Sequence, residues 1–293
     1  MALAVVPWTW FLVRGLGGRL EAVAVVLPLL VAGAFAISLM VAAALRDRRV
    51  LAVVGSLLLF GIVVTVGPRL PHEGPAPVST IRVASANVFS ENPMPAEAVE
   101  AMVAADPDIL VAVETSPVFR SLLAGDDLAH PYGAVDDQQV VRSRYPVTAL
   151  TDPPGVPARR ILRVEVDAPS APFVLYAVHA LNPLSESTFA DQLRWIDRLL
   201  AAAAREEAPV VMAGDFNMSD RQLGYRRLTG TMRDAMTAAG WGHTTYPGGI
   251  WAPLLLRIDH IVMPEDWCAA RSGALEIPGS DHVGLQVDIG PCP

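Results

Sequence analysis

The strongest constraint on this chain lies near its start. Ala22 to Leu45 is an uncharged run of 24 residues, and Val50 to Pro68 is a second of 19. As helices they would be roughly 36 Å and 28 Å long, against a bilayer hydrocarbon core of about 30 Å. Two buried helices of a globular core are the competing reading, but uncharged runs this long, bounded by charges, mark membrane spans. A mean hydropathy of +0.39 agrees. Residues 1–66 therefore read as a membrane anchor with two transmembrane helices, at about 22–45 and 50–66. Met1 to Val13 is also apolar. It is too short to span and lacks the basic leader and small-residue cleavage site of a signal peptide. An interfacial helix, part of a third span and a mis-assigned start all stay open for it.

Arginine and lysine are in excess on the cytoplasmic side of membrane proteins. Arg46, Arg48 and Arg49 sit in the short turn between the runs, and Arg14, Arg19 and Arg69 on the other side equal them in number. Clustering in so short a loop favours a cytoplasmic turn. The expected protein is multi-pass in the cell membrane, with its C-terminal domain extracytoplasmic and the lipid bilayer as its partner. No protein partner can be inferred.

Residues 67–79 hold Gly67-Pro68, Pro71, Gly74-Pro75 and Pro77, too much proline for a helix, and read as an extended linker. A dozen such residues would keep the C-terminal domain within about 40 Å of the bilayer. Residues 80–293 then change character, and are enough for one domain with a sizeable core. Strands are expected at Ile81 to Val88, Ile109 to Glu114, Val140 to Val147 (broken by Pro146), Ile161 to Val166, Phe173 to His179, Pro209 to Ala213, Leu254 to Val262 and Val283 to Ile289. Helices are expected at Pro95 to Ala105 and Glu186 to Arg205. Near-continuous apolar strands alternating with helices imply an α/β domain whose sheets are covered by helices. Cys268 and Cys292 are the two cysteines, and either one disulfide or two free thiols fits them.

Polar residues gather at strand ends, where ligand sites of such folds lie. They are Asn87, Glu114, His179, Asp215, Asn217, Asp259, Asp281 and His282. Carboxylates hold a hard cation through oxygen, amides and imidazoles donate to phosphate oxygens, and a carboxylate–histidine pair can orient or activate water. Singly, each has a bland reading. Glu114 would be a surface turn residue, Gly-Asp-Phe-Asn a turn composition, Ser280-Asp281-His282 a cap and His179 a core histidine.

Their joint order changes the odds. Ala-Asn87-Val, Glu114, Val-His179, Gly-Asp215-Phe-Asn217, Ile-Asp259-His260-Ile and Ser-Asp281-His282 together resemble the endonuclease/exonuclease/phosphatase superfamily over about Ile81 to Ile289. Ser143-Arg144-Tyr145-Pro146 and Arg233-Asp234-Ala235 look like its secondary motifs. After Ser-Asp-His the chain continues Val-Gly-Leu, where many members have proline. The resemblance implies a four-layer α/β sandwich, two packed mixed sheets flanked by helices, and a Mg²⁺- or Mn²⁺-dependent phosphoric ester or anhydride hydrolase. It implies that Glu114 is the principal metal ligand, with Asn87 and Asp281 completing the shell. Asp215 would orient or deprotonate water, Asn217 and His179 would hold phosphate oxygens, and His282 would be the catalytic histidine oriented by Asp259. Strand alternation puts Asp259 and His260 on opposite faces, so His260 is expected to be structural.

From residue 73 onward the chain has 16 arginines, no lysine and 28 carboxylates, a net charge of −12. Nucleic-acid binding rests on basic footprints, so nucleic acid is not the expected partner. Arg142/Arg144, Arg159/Arg160 and Arg226/Arg227 read as solvated pairs, the first with most claim to a role. The layout is similar to membrane-anchored bacterial members of the superfamily, including vancomycin/teicoplanin-resistance-type proteins, which implies a lipid-linked substrate such as undecaprenyl pyrophosphate. The alternatives are a phosphodiesterase acting on phospholipid headgroups or nucleic acid, and a catalytically silent membrane-bound scaffold.

Overall fold

The computed structural model describes residues 8–9, 19–45, 48–72, 74–124, 129–153, 155–156, 160–169, 172–183, 186–248 and 256–293. The two apolar runs are helices, α1 (Arg19–Leu45) and α2 (Arg48–Thr65). Both are long and apolar enough to cross a membrane, and only 17% of the most apolar window of each is buried. A core helix of a soluble protein would be mostly covered, whereas Leu29, Met40 and Leu59 all stand exposed. The pair packs through Ala24, Leu27, Phe60 and Val64. A side chain at Gly61 would come within 2.9 Å of Val31 Cγ1, so glycine sets this close approach. Trp8 lies against α2, its indole N–H donating to Ser56 Oγ at 3.2 Å and its ring edge-on to Phe60. Most of Met1 to Val13 lies outside the described residues.

The Pro-rich segment is not a free tether. Gly67–Arg69 form a 3₁₀ turn, and the buried Arg69 guanidinium donates to Asp220 Oδ2 at 3.1 Å and to Thr244 Oγ1 at 2.6 Å. Backbone bonds from His72 to Thr237 O and from Val78 to Pro291 O lay the rest along the domain. The expected reach of about 40 Å therefore gives way to direct contact. The first turns of α1 dock as well. Arg221 Nε donates to Ala24 O at 3.0 Å, and the Leu223 N–H donates to Glu21 Oε2 at 2.9 Å.

Two six-stranded mixed sheets make the domain. The first runs β11 (Trp267–Glu276), β12 (Val283–Pro291), β1 (Ile81–Asn87), β2 (Ile109–Val113), β4 (Gln139–Ser143), β3 (Tyr132–Val135). The second runs β5 (Val147–Ala149), β6 (Ile161–Val166), β7 (Phe173–His179), β8 (Val210–Asp215), β10 (Asp259–Met263), β9 (Arg233–Asp234). Alternation divides each strand between two cores. Ile81, Val83, Phe173, Leu175, Val211 and Ile261 fill the space between the sheets. Tyr176, Val178 and Met212 face outward onto α5 (Glu186–Ala203) and α6 (Leu223–Leu228). Ala86, Leu110 and Ala112 face α3 (Pro95–Ala104) and α4 (Pro117–Leu123). The result is the four-layer sandwich, with a short α7 (Ala235–Ala239) closing one end.

Most boundaries shift by a few residues, and the clearest differences from expectation are these. The single strand at Val140 to Val147 is two, β4 in one sheet and β5 in the other, because Pro146 cannot donate to a ladder and the chain crosses over there. The strand placed at Leu254 to Val262 is Asp259–Met263, and residues 251–255 lie outside those described. The helix placed at Glu186 to Arg205 stops at Ala203. Cys268 and Cys292 form a disulfide, Cα to Cα 5.0 Å, tying β11 to the end of β12.

Candidate active site

β1, β2, β7 and β8 end, and β10 and β12 begin, at the same edge of the sandwich. Parallel pairing brings Asn87 level with Val113 and His179 level with Asp215, and antiparallel pairing brings Asp259 level with Asp215. Asn87, His179, Asp215 and Asp259 share the parity of the residues between the sheets, so all four aim into the seam. Glu114 has the opposite parity. It sits at φ 53°, which ends the strand and turns its carboxylate toward β7, where Oε1 lies 3.0 Å from His179 Nε2. Asn217 comes two residues after Asp215, at φ 48°, with its backbone N–H on Asp215 Oδ1 at 2.7 Å. Phe89, on the cavity wall, is a third left-handed residue. Such backbones cost of order 1–3 kcal/mol each and persist where the surroundings over-determine them. Gly214, at φ 139°, is where only glycine fits, because a Cβ there would strike the Val178 carbonyl of β7.

The cavity at this edge has a volume of about 600 Å³. Glu114, His179, Asp215, Asn217, Asp281 and His282 line it. Asn87 and Asp259 stand behind them, Asn87 Nδ2 donating to Asp215 Oδ2 at 3.1 Å and Asp259 Oδ2 lying 2.8 Å from His282 Nδ1. The loop carrying His282 is stapled by Ser280, whose hydroxyl donates to Asn87 O at 2.8 Å and accepts from the His282 N–H at 3.0 Å. His260 points the other way, packed between Phe216 and Tyr225 with Nε2 2.8 Å from Met218 O. Asp281 is exposed at the rim, and His179 sits against Glu114 rather than apart from it.

The electrostatics separate these groups. The His179 hydrogen bond, working against burial, lowers Glu114 to about 2, so it is a carboxylate at any working pH. Burial first, and then the neighbouring Asp259 charge, push Asp215 upward. Burial opposes charging of His282, yet the Asp259 carboxylate and its hydrogen bond, with help from Asp215, raise it to about 9. Ligand atoms of Glu114, His179 and Asp215 lie within 4.8 Å of one another, as do those of Asp215, Asp259 and His282. Asp259 Oδ1 is buried with no hydrogen-bond partner among the described residues. Carboxylates crowded in this way, one with an orphaned oxygen, suit a hard divalent cation.

Several neighbours of the site are not picked out by the sequence, which reads Arg160 as one of a solvated pair and gives no sign of Thr245 or Tyr246. Arg160 is the one arginine among the described residues lining the cavity. Thr245 Oγ1 accepts from the backbone N–H of both Ile258 and Asp259, and the Tyr246 ring packs 4.9 Å from that of His282. The two secondary motifs are structural. Arg144 pairs with Asp106 and Asp108, and Asp234 caps α7 and pairs with the fully buried Arg257.

A buried acid–histidine couple beside carboxylates able to hold a cation, at the open edge of a two-sheet α/β sandwich, is the arrangement of a metal-dependent phosphoric ester hydrolase. The chain belongs to the Endonuclease/Exonuclease/phosphatase family, whose model matches residues 84–282. Its fold is similar to the endonuclease/exonuclease/phosphatase from Beutenbergia cavernae DSM 12333, with TM-score 0.58, 17% identity and 72% of each chain covered. It is also similar to D. rerio TDP2 complexed with single strand DNA product, with TM-score 0.57, 15% identity, and 72% of this chain and 99% of that one covered. The 3′ phosphatase NExo from Neisseria bound to a product DNA hairpin gives TM-score 0.53 and 19% identity, with 71% and 98% covered. At these identities the likeness is one of fold. No curated protein matches the chain.

Proposed function

We propose that this protein is a membrane-anchored phosphatase that hydrolyses a lipid-linked phosphate or pyrophosphate outside the cytoplasm, with undecaprenyl pyrophosphate as the first substrate to test. The observation that carries the reading is the direct docking of the catalytic domain on the first turns of the exposed, apolar α1 and on the turn that follows α2, through Arg69, Asp220, Arg221 and Glu21. A site held there meets lipid headgroups at high effective concentration. The orientation rests on the arginine cluster at the far turn and on the Cys268–Cys292 disulfide, a bond of oxidising compartments. The acidic domain, net −12 from residue 73, argues against nucleic acid.

Glu114, Asn87 and Asp281 would hold Mg²⁺ or Mn²⁺, with His179 locking the Glu114 carboxylate. The cation supplies neutralisation of phosphate charge and of the charge that develops in the transition state. For a pyrophosphate, water adds to the terminal phosphorus as the bond to the bridging oxygen breaks, and the lipid monophosphate departs as an anion. Asp215, an acceptor for Asn87 and Asn217 whose proton affinity burial raises, takes in its ionised form the proton that the water loses. Asn217 orients the same water, and the His282 imidazolium donates to a non-bridging oxygen.

The test is phosphate release from undecaprenyl pyrophosphate by the full chain in detergent with Mg²⁺, beside EDTA and Asp215→Ala, and with a plasmid-nicking assay. The expected result is metal-dependent release that falls on the order of 10²–10⁴-fold in Asp215→Ala, the range of a lost general base, without nicking. Nicking without release would move the substrate to nucleic acid. A folded protein silent in both assays would favour a binding scaffold.

A further inference from the structure

The catalytic cavity is not closed by the catalytic domain alone. Val25, in the second turn of α1, lines it together with Glu114, Asp215 and His282. Leu181 and Pro183 lie on the same wall and are half-buried. Val25 is also half-buried.

On a helix, positions i, i+3, i+4 and i+7 form one stripe. For α1 those positions are Ala22, Val25, Val26 and Leu29. Ala22 is exposed, Val26 is 44% exposed and Leu29 is 58% exposed. An uninterrupted apolar stripe, roughly 10 Å long, therefore leads from the cavity wall onto the open face of the helix. The wall is fixed in place. Arg221 holds the carbonyl of Ala24, Glu21 accepts from Leu223, and Asp220 joins Arg221 to Arg69. The contact loop, residues 219–223, comes almost directly after Asn217, and its Gln222 lines the cavity too.

We infer that α1 is a wall of the active site, that the substrate is an ester or anhydride of phosphate carrying a long apolar chain, and that this chain lies along Ala22, Val25, Val26 and Leu29 while the phosphate sits at Glu114 and Asp215. Val25 is then a specificity-determining residue. The inference rests on the lipid-linked reading above and adds how the lipid is recognised. A phosphate whose substituent is short or polar would gain nothing from the stripe.

The experiment uses the full chain in lipid nanodiscs and two substrates, geranyl pyrophosphate and a long-chain prenyl pyrophosphate. The quantity read is the ratio of kcat/KM for the long chain to that for the short one. In the unaltered protein the ratio exceeds one. Val25→Trp, which fills the wall, lowers it roughly tenfold or more, since a few lost methylene contacts at about 0.8 kcal/mol each suffice. Met40→Trp, on the exposed face of α1 far from the cavity, leaves the ratio where it was. Val25→Ala, the milder change, also lowers the ratio and covers the case where the tryptophan variant does not fold. As a second measurement, a prenyl phosphate with a diazirine in its chain is cross-linked and mapped. Adducts within residues 22–29 support the assignment. An unchanged ratio in both Val25 variants, with adducts elsewhere, overturns it while leaving the lipid-linked reading intact. If the unaltered protein hydrolyses both pyrophosphates equally, this inference falls and the lipid-linked reading stands; if it hydrolyses neither, the lipid-linked reading falls and this inference with it.

Discussion

At the scale of single residues, the site works by pushing neighbouring groups in opposite directions. Glu114 is held ionised, Asp215 is driven toward neutrality, and His282 is held charged by Asp259. Asp259→Asn removes the charge that sustains the imidazolium. In metal-free protein the His282 titration measured by NMR is expected to fall from about 9 toward the usual value near 6.5. The effect on stability has a definite sign. A raised histidine stabilises the fold fully below its unfolded value and loses that contribution as pH climbs through about 9. Thermal stability should therefore drop over that window in the parent and less so in the variant. Arg160 yields a second expectation. A charge-assisted hydrogen bond contributes about 1.5–3 kcal/mol, so Arg160→Ala should raise KM roughly 10- to 100-fold with a smaller effect on kcat, as steady-state kinetics would show. The acids and His282 are legible because their order along the chain has a chemical sense. Arg160, Thr245 and Tyr246 are not, since only tertiary placement makes them neighbours of the site. Nor does sequence alternation place Glu114, whose aim depends on one left-handed residue that breaks it.

At the scale of elements, legibility tracks burial. β1, β2, β7 and β8 are buried along nearly their whole length, and their unbroken apolar runs announce them. β3 is an edge strand with mostly exposed residues, and beyond its first three residues β11 mixes exposed and half-buried positions, so neither offers an apolar run to find. α4, α6 and α7 are seven, six and five residues long, too short to display a helical period. The junction of β9, α7 and β10 is held by a buried pair. Asp234 accepts from Arg257, from the Tyr225 hydroxyl at 3.0 Å and from the Thr237 N–H at 3.1 Å. Burial alone would raise Asp234, but Arg257 and His260 bring it well below the usual carboxylate range. Asp234→Asn would leave Arg257 charged and fully buried without its partner. Removing one member of such a pair costs about 3–5 kcal/mol, which urea denaturation of the detergent-solubilised protein should report.

At the scale of the whole molecule, the disulfide staples two strands at the end of the first sheet. It closes a loop across a sequence separation of 24 residues. Chain-entropy arguments put that at about 3.5 kcal/mol, so reduction should lower the denaturation midpoint accordingly, while the catalytic edge keeps its geometry. A thiol-trapping experiment on intact cells should find Cys268 and Cys292 unreactive until a reductant is added.

Proteins are made from the N-terminus, so α1 and α2 exist before residues 219–223 have been synthesised. Asp220 and Arg221 are charged groups almost without exposure, and the partners that cover them, Arg69 and the first turns of α1, are already in place when they emerge. The last-made part of the enzyme is thus seated on a template laid down earlier. A copy clipped free of its helices would keep the Asp220–Arg221 pair stripped of the α1 carbonyl that covers it, and a cavity missing one side. Activity is thereby tied to where the chain was assembled as well as to what it contains.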